Sequence, residues 1–189
     1  MMSSGRLPPD GADAVGRAER LVQLFYPTVA SFGTITPADA GELPAVDRTL
    51  LDHRSHMTVT MERHHACRLD VRVVAERKAA EGSGARYARE ILLVRPDGQV
   101  VQYGIVRIDL TAVDAATAAA IRRAAAPLGR ILIEAGLLCN VHRVSFVRIE
   151  PGPHLVGILA KAGPLSGRVA EILVGGQPAI ELLEVVVPV

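Results

Sequence analysis

The stretch RYAREILLVRPDGQVVQYGIVRIDL, residues 86–110, decides the fold of this chain. Its two apolar runs, 86–94 and 100–110, are rich in Val, Ile, Leu and Tyr, which is typical of strands. Pro96-Asp97-Gly98 between them is a strong reverse-turn sequence. An earlier segment from Cys67 alternates apolar and charged residues with a period of two, so it predicts a third strand. The three segments together predict an antiparallel meander.

The rest of the chain alternates between helical and strand patterns. Helices are predicted over 13–26, 46–51, 114–126 and 128–138, and strands over 141–149, 169–174 and 179–187. Residues 28–45 are interpreted as a connector, while 53–65 and 155–167 fit no single pattern. Strands grouped in runs, with helices at the start and centre, indicate one α+β domain over 13–189. Residues 1–12 are expected to be a disordered lead-in.

Composition excludes several classes of function. The net charge is +1 and aromatic residues make up only 3%, so neither a strongly basic face nor a base-stacking surface is indicated, and no nucleic-acid partner is expected. No apolar run approaches the ~18 residues that a membrane span requires. Cys67 and Cys139 lack a CxxC spacing and are interpreted as buried thiols of a cytoplasmic protein. A histidine-rich stretch over 53–65 lacks a familiar zinc spacing, so no metal is expected.

Three short segments carry a resemblance to a known family. They are Arg89-Glu90-Ile91-Leu92-Leu93, Pro127-Leu128-Gly129-Arg130-Ile131-Leu132 and Glu184-Val185-Val186-Val187-Pro188. With Met57-Thr58 and the Asp97-Gly98 turn, their order and spacing resemble the chorismate pyruvate-lyase family, over about residues 46–188. The resemblance is weak over 139–168. The family implies a six-stranded antiparallel sheet flanked by helices, with an enclosed pocket and a monomeric protein.

The resemblance also implies an activity and the residues that perform it. The family converts chorismate to 4-hydroxybenzoate and pyruvate, a carbon–oxygen lyase reaction without metal or cofactor, and the product would enter ubiquinone biosynthesis. Arg89 would bind the ring carboxylate, with help from the backbone of Leu128, and Met57 would line the pocket. Glu184 would assist departure of the enolpyruvyl oxygen, so Glu184 and Arg89 are the expected catalytic residues.

Elementary chemistry is consistent with these roles. A guanidinium offers paired donors that match a carboxylate, and chorismate is a dianion that needs fixed positive charge. A carboxyl group enclosed by apolar side chains can stay protonated and donate to the departing oxygen. From the pattern alone, however, Arg89 would be a solvent-facing strand residue, and Glu184 would be either outward-facing or buried.

Several alternatives remain open at this level. The closing hairpin is one residue longer between Pro178 and Glu184 than in typical family members, so Glu181 could replace Glu184 in the pocket. The superfamily also includes non-catalytic sensor domains that bind small aromatic acids, and a lyase with a different hydroxybenzoate product is a further alternative. The divergent segment 139–168 leaves the choice of substrate open.

Overall fold

The computed structural model describes residues 10–78 and 86–188, with side chains from residue 13 onward. Seven antiparallel strands form one sheet in the order β1-β5-β6-β7-β4-β3-β2. The strands are β1 (Gly33–Ala38), β2 (Asp70–Lys78), β3 (Arg86–Val94), β4 (Val100–Asp109), β5 (Cys139–Pro151), β6 (Leu165–Val174) and β7 (Gln177–Val186). The predicted α+β class and antiparallel sheet are confirmed, with seven strands in place of six.

The additional strand, β1, lies in the segment interpreted as a connector. It pairs with β5 at one edge of the sheet. Its sequence, Gly-Thr-Ile-Thr-Pro-Ala, is short and contains a proline, which a sheet tolerates only where a strand lies at the edge or at its end. A Cβ on Gly33 would collide with the carbonyl oxygen of Glu150 on the neighbouring strand. Glycine at this position is therefore part of the pairing, although in the sequence it reads as a loop residue.

Within the described residues, seven α-helices connect and cover the strands: α1 (Asp10–Val22), α2 (Val29–Phe32), α3 (Ala45–Leu51), α4 (Met57–His65), α5 (Ala115–Arg123), α6 (Leu128–Glu134) and α7 (Pro153–Leu159). Asp114 caps α5, where its side chain accepts from the Thr117 backbone N–H at 2.7 Å. Of the predicted lead-in, residues 1–9 lie outside the described residues and 10–12 belong to α1. Residues 81–84, whose sequence Glu-Gly-Ser-Gly predicts a turn, also lie outside the described residues.

The sheet has two covered faces, because successive side chains of a strand point to opposite sides. On one face, Leu92 and Val94 of β3 belong to a core with α1, α2 and α7. On the other, Tyr87 packs with α5 and α6, and Leu93 packs with α3 and α4. We call these the N-terminal face and the cavity face. Both faces are sealed by apolar packing, so any polar group between the layers needs a partner.

On the N-terminal face, the buried carboxylate of Glu90 has hydrogen-bond partners of this kind. Glu90 is 2% exposed, and its Oε1 accepts hydrogen bonds from the hydroxyls of Tyr26 and of Tyr103, the latter at 2.7 Å. Burial and the neighbouring Glu90 raise the pKa of both phenols, so they remain protonated donors. Tyr26 follows α1, and this cluster therefore ties the segment after the first helix to the middle of the sheet.

Removing one of these donors is expected to destabilise the fold. Tyr103→Phe leaves a buried carboxylate with one hydrogen bond fewer, and we expect the free energy of unfolding to fall by about 1–3 kcal/mol. Urea denaturation followed by circular dichroism measures this loss. Tyr87→Phe is the matched control, because the Tyr87 hydroxyl donates to a half-buried carboxylate, Glu76, that water can reach. Equal losses in the two variants would contradict the role of the Glu90 cluster.

Candidate functional site

A cavity lies on the cavity face, between the sheet and the first turns of α4 and α6. Its empty volume is about 600 Å³, including the mouth that opens to solvent. The floor is formed by β3, β4, β6 and β7, and the walls are mostly apolar. All four residues that the sequence assigned to a site, Met57, Arg89, Leu128 and Glu184, line this one cavity.

Strand register determines the floor of the cavity. Arg89 pairs with Val106 on β4, and in the next row of the same face Ile91 pairs with Gly104, which in turn pairs with Glu184 on β7. Two strand spacings and one row separate Arg89 from Glu184, or about 12 Å between Cα atoms. Gly104 lies on the strand between them, in the same row as Glu184, and carries no side chain. A Cβ at this position would lie 3.5 Å from the Ile91 side chain, and the cavity that Arg89, Gly104 and Glu184 line lies on this face.

Arg89 is a buried cation without a carboxylate partner among the described side chains. It is 1% exposed, one Nη donates to the Ile121 carbonyl at 3.4 Å, and the Tyr87 hydroxyl lies close enough to interact with the guanidinium. Its Nε has no acceptor among the described residues. None of the ion pairs within the described part of the chain includes it. Burial lowers the pKa of this guanidinium, while Tyr87 and Glu76 act in the opposite direction. An anion in the cavity would supply the missing charge.

Glu184 has a partner that the sequence analysis missed. Its Oε2 accepts from Arg168 Nε at 2.7 Å, and Arg168 is itself 1% exposed. Arg168 lies in the divergent segment, immediately before the predicted strand 169–174, and β6 in fact begins at Leu165. Extending that strand back by one residue would have placed Arg168 on the same face as Ala170 and Ile172. The carboxylate thus faces a cation instead of an apolar enclosure.

The open choice between Glu184 and Glu181 has a structural answer. Glu184 lines the cavity, whereas Glu181 forms an ion pair with Arg107 on β4 at a partly exposed position. The extra residue of the hairpin is accommodated by a register shift between Ile172 and Leu173, close to the Gly175-Gly176 turn. The irregularity lies before the two strands reach the cavity, so the alternation beyond it places Glu184 inside.

Two short helices close the cavity from above. Met57 begins α4 and is 3% exposed, and Leu128 begins α6 after Pro127 at the N-cap position. A Cβ on Gly129 would lie 3.0 Å from the His56 Cβ, so glycine permits the close approach of the two helices. The first backbone N–H groups of a helix have no partner within it. Backbone donors of Leu128 and Gly129 therefore lie beside the cavity.

Two histidines at the rim favour the neutral form. Burial, followed by the charge of Arg168, lowers the pKa of His53, whose Nδ1 accepts from the Ser55 backbone N–H at 3.1 Å. Burial also lowers the pKa of His56. Among residues 10–78 and 86–188, no group of three or more His, Cys, Asp or Glu side chains is arranged to hold a metal ion.

Comparisons with known proteins establish likeness of fold only. No family model matches the chain, and no curated protein sequence matches it. Among solved structures, PhnF from Mycobacterium smegmatis has a TM-score of 0.53 and 13% identity, and the match covers 70% of this chain and 63% of that one. The ligand-binding domain of a regulator assigned to the GntR family, from Bordetella bronchiseptica, has a TM-score of 0.48 and 13% identity, over 62% of this chain and 85% of that one. A GntR-family regulator from Enterococcus faecalis has a TM-score of 0.48 and 9% identity, over 62% and 93%.

The prediction of a carbon–oxygen lyase was wrong. The likeness to solved structures is to regulator proteins and their ligand-binding domains, and it carries the fold alone. The ion pair of Glu184 with Arg168 also places a cation where the lyase interpretation required an apolar enclosure. No described helix is long and apolar enough to cross a membrane.

The rim histidines lead to a pH-dependent stability. Their folded-state pKa lies below the unfolded value of about 6.5, so the unfolded chain binds more protons as the pH falls through that value. We expect the free energy of unfolding to decrease from pH 7.5 to pH 5.5. His53→Asn should reduce this decrease, whereas His142→Asn, at an exposed position on β5, should not. Urea denaturation at the two pH values measures the difference, and identical slopes in both variants would refute it.

Proposed function

We propose that this chain is a non-catalytic binding domain for a small aromatic carboxylic acid. The observation that carries this proposal is the Arg89 guanidinium, which is buried in the cavity without a carboxylate partner among the described side chains. Removing a charge from water is costly unless a counter-charge and hydrogen bonds replace the lost hydration. A ligand carboxylate supplies both, because its two oxygens match the donors of a guanidinium.

The buried charges of the cavity indicate how many charges the ligand carries. Arg168 and Glu184 compensate each other as an ion pair, and Arg89 has no carboxylate partner among the side chains that the structure describes. The rim histidines His53 and His56 favour the neutral form. One negative charge on the ligand would therefore balance the site, whereas a second would have to be buried without a partner. A monoanion is favoured over a dianion such as chorismate.

The cavity walls favour a flat apolar body. Ile91, Leu93, Val106 and Leu182 form apolar parts of the floor beside the open space above Gly104. An aromatic ring there would remove apolar surface from water at about 25 cal/mol per Å². Met57 would cover the ring from α4, and backbone N–H groups at Leu128 and Gly129 would add donors to the carboxylate. These two roles follow the family resemblance and belong to the proposal.

The end of the ligand opposite its carboxylate would lie near hydrogen-bond acceptors of the protein. Glu184 uses one carboxylate oxygen for Arg168, so the other can accept from a ligand group. Gln102 is 3% exposed, and its buried Oε1 has no donor among the described residues. A hydroxyl or amino group opposite the carboxylate would supply the donor. The ligand that fits best is a benzoic acid with such a substituent, and 4-hydroxybenzoate is a suitable probe.

Substitution of Arg89 is expected to weaken ligand binding and to stabilise the ligand-free protein. Arg89→Met should abolish binding of 4-hydroxybenzoate, because the charge that holds the carboxylate is lost. The same change should raise the free energy of unfolding of the ligand-free protein, since an apolar side chain of similar length replaces a buried unpaired cation. Isothermal titration calorimetry and urea denaturation measure the two effects.

The control is another strand arginine with a different environment. Arg107→Met removes a partly exposed ion pair with Glu181, which contributes about 0–1 kcal/mol, so neither affinity nor stability should change much. Gly104→Val is a second variant that fills the open floor without changing charge, and it should also prevent binding. Unchanged affinity in Arg89→Met, or no binding of any benzoic acid by the unaltered protein, would reject the proposal.

A further inference from the structure

Arg168 makes more contacts in the cavity than the ion pair alone. Its Nε donates to Glu184 Oε2 at 2.7 Å, and one Nη donates to the carbonyl oxygens of Leu51 at 3.0 Å and His53 at 2.9 Å. The side chain is 1% exposed. One guanidinium thus connects three acceptors from two parts of the chain. Only the planar fork of arginine can address several acceptors in fixed directions at once.

The two carbonyls belong to the rim of the cavity. Leu51 is the last residue of α3, and the segment 52–56 leads from it to the first turn of α4. Ser55 and His56, at the end of this rim segment, line the cavity with Met57 and Thr58. The position of the rim segment therefore depends on the same side chain that holds Glu184.

The ion pair also determines what Glu184 can do for a ligand. Without Arg168, the carboxylate would be buried without a cation and would either take up a proton or turn towards water. With Arg168, Oε2 is engaged and Oε1 remains as a charged acceptor directed by a fixed partner. A charged acceptor held in place discriminates strongly between a ligand that donates and one that lacks the donor.

We propose that Arg168 is a positioning residue that fixes Glu184 as the acceptor for a hydrogen-bond donor on the ligand and couples that acceptor to the rim segment 52–56. This inference rests on the proposed function and extends it to the selectivity of the same pocket. Arg168 also lines the cavity, but its Nε and one Nη are engaged by Glu184 and by the carbonyls of Leu51 and His53. It acts through Glu184, and its removal affects ligands that carry the donor more than ligands that lack it.

The ratio of two affinities tests the proposal. 4-Hydroxybenzoate and benzoate share the carboxylate and the ring, so a general loss of folding or of the Arg89 contact affects both equally. We expect the unaltered protein to prefer 4-hydroxybenzoate by about tenfold or more, as a hydrogen bond to a charged group implies. Arg168→Gln should bring the ratio close to one while benzoate affinity changes by less than about threefold, the usual scale for a lost indirect contact.

Three further variants test the same ratio of affinities. Glu184→Gln should reduce the preference as Arg168→Gln does, because both remove the fixed charged acceptor. Arg168→Lys should restore part of the preference, since an ammonium supplies the charge without the fork. Arg107→Gln, which breaks the neighbouring β4–β7 ion pair outside the cavity, should leave the preference unchanged. A full preference in Arg168→Gln would overturn the inference.

Hydrogen exchange is measured on the unaltered protein, so a folding defect in a variant cannot affect the result. 4-Hydroxybenzoate should slow exchange of the amides at 53–56 more than benzoate does at equal saturation, because only the former engages Glu184. Equal protection of these amides by the two acids would contradict the coupling of Glu184 to the rim segment 52–56. If neither acid binds, the proposed function itself fails, and this outcome is distinct from binding without a role for Arg168.

Discussion

The pairing of β4 with β7 at Gly104 and Glu184 is the constraint on which the site depends. It places a residue without a side chain between two charged residues on the same face, and so opens a cavity in the middle of a packed layer. A shift of one residue would direct Glu184 into the N-terminal face and bring Leu183 or Val185 into the cavity. The irregularity near the Gly175-Gly176 turn absorbs the extra residue of the hairpin before this row is reached.

Adjacent residues of β3 show how sheet geometry separates charges. Arg89 and Glu90 are neighbours in sequence, yet they point to opposite faces and cannot neutralise each other. Glu90 receives two phenolic hydrogen bonds and becomes part of the structural core. Arg89 donates one long hydrogen bond to a carbonyl and lines the cavity. Both side chains are buried to a similar degree. On one face the buried carboxylate has phenolic donors, whereas on the other the buried guanidinium has no carboxylate partner among the described side chains.

The change from a predicted enzyme to a proposed binding domain has a specific origin. The motif residues Met57, Arg89, Leu128 and Glu184 line one cavity, but their presence there does not distinguish binding from catalysis. The difference lies in the residue next to Glu184. Arg168 places a permanent cation beside Glu184, and it comes from the segment in which the resemblance was weakest.

Much of the architecture follows from local sequence. The β3–β4 hairpin, the Asp114 cap of α5 and the closing hairpin are determined by alternation, turn residues and capping residues, which act over a few positions. Strand β1 is different, because its glycine and proline suit a loop equally well, and only the available edge of β5 makes it a strand. Likewise, the sequence determined that Arg89 and Glu184 lie on strands, whereas only the tertiary structure decided their surroundings. The partner of a buried charge is selected by packing between distant segments, as Arg168, Leu51 and His53 show, and no local pattern records that selection.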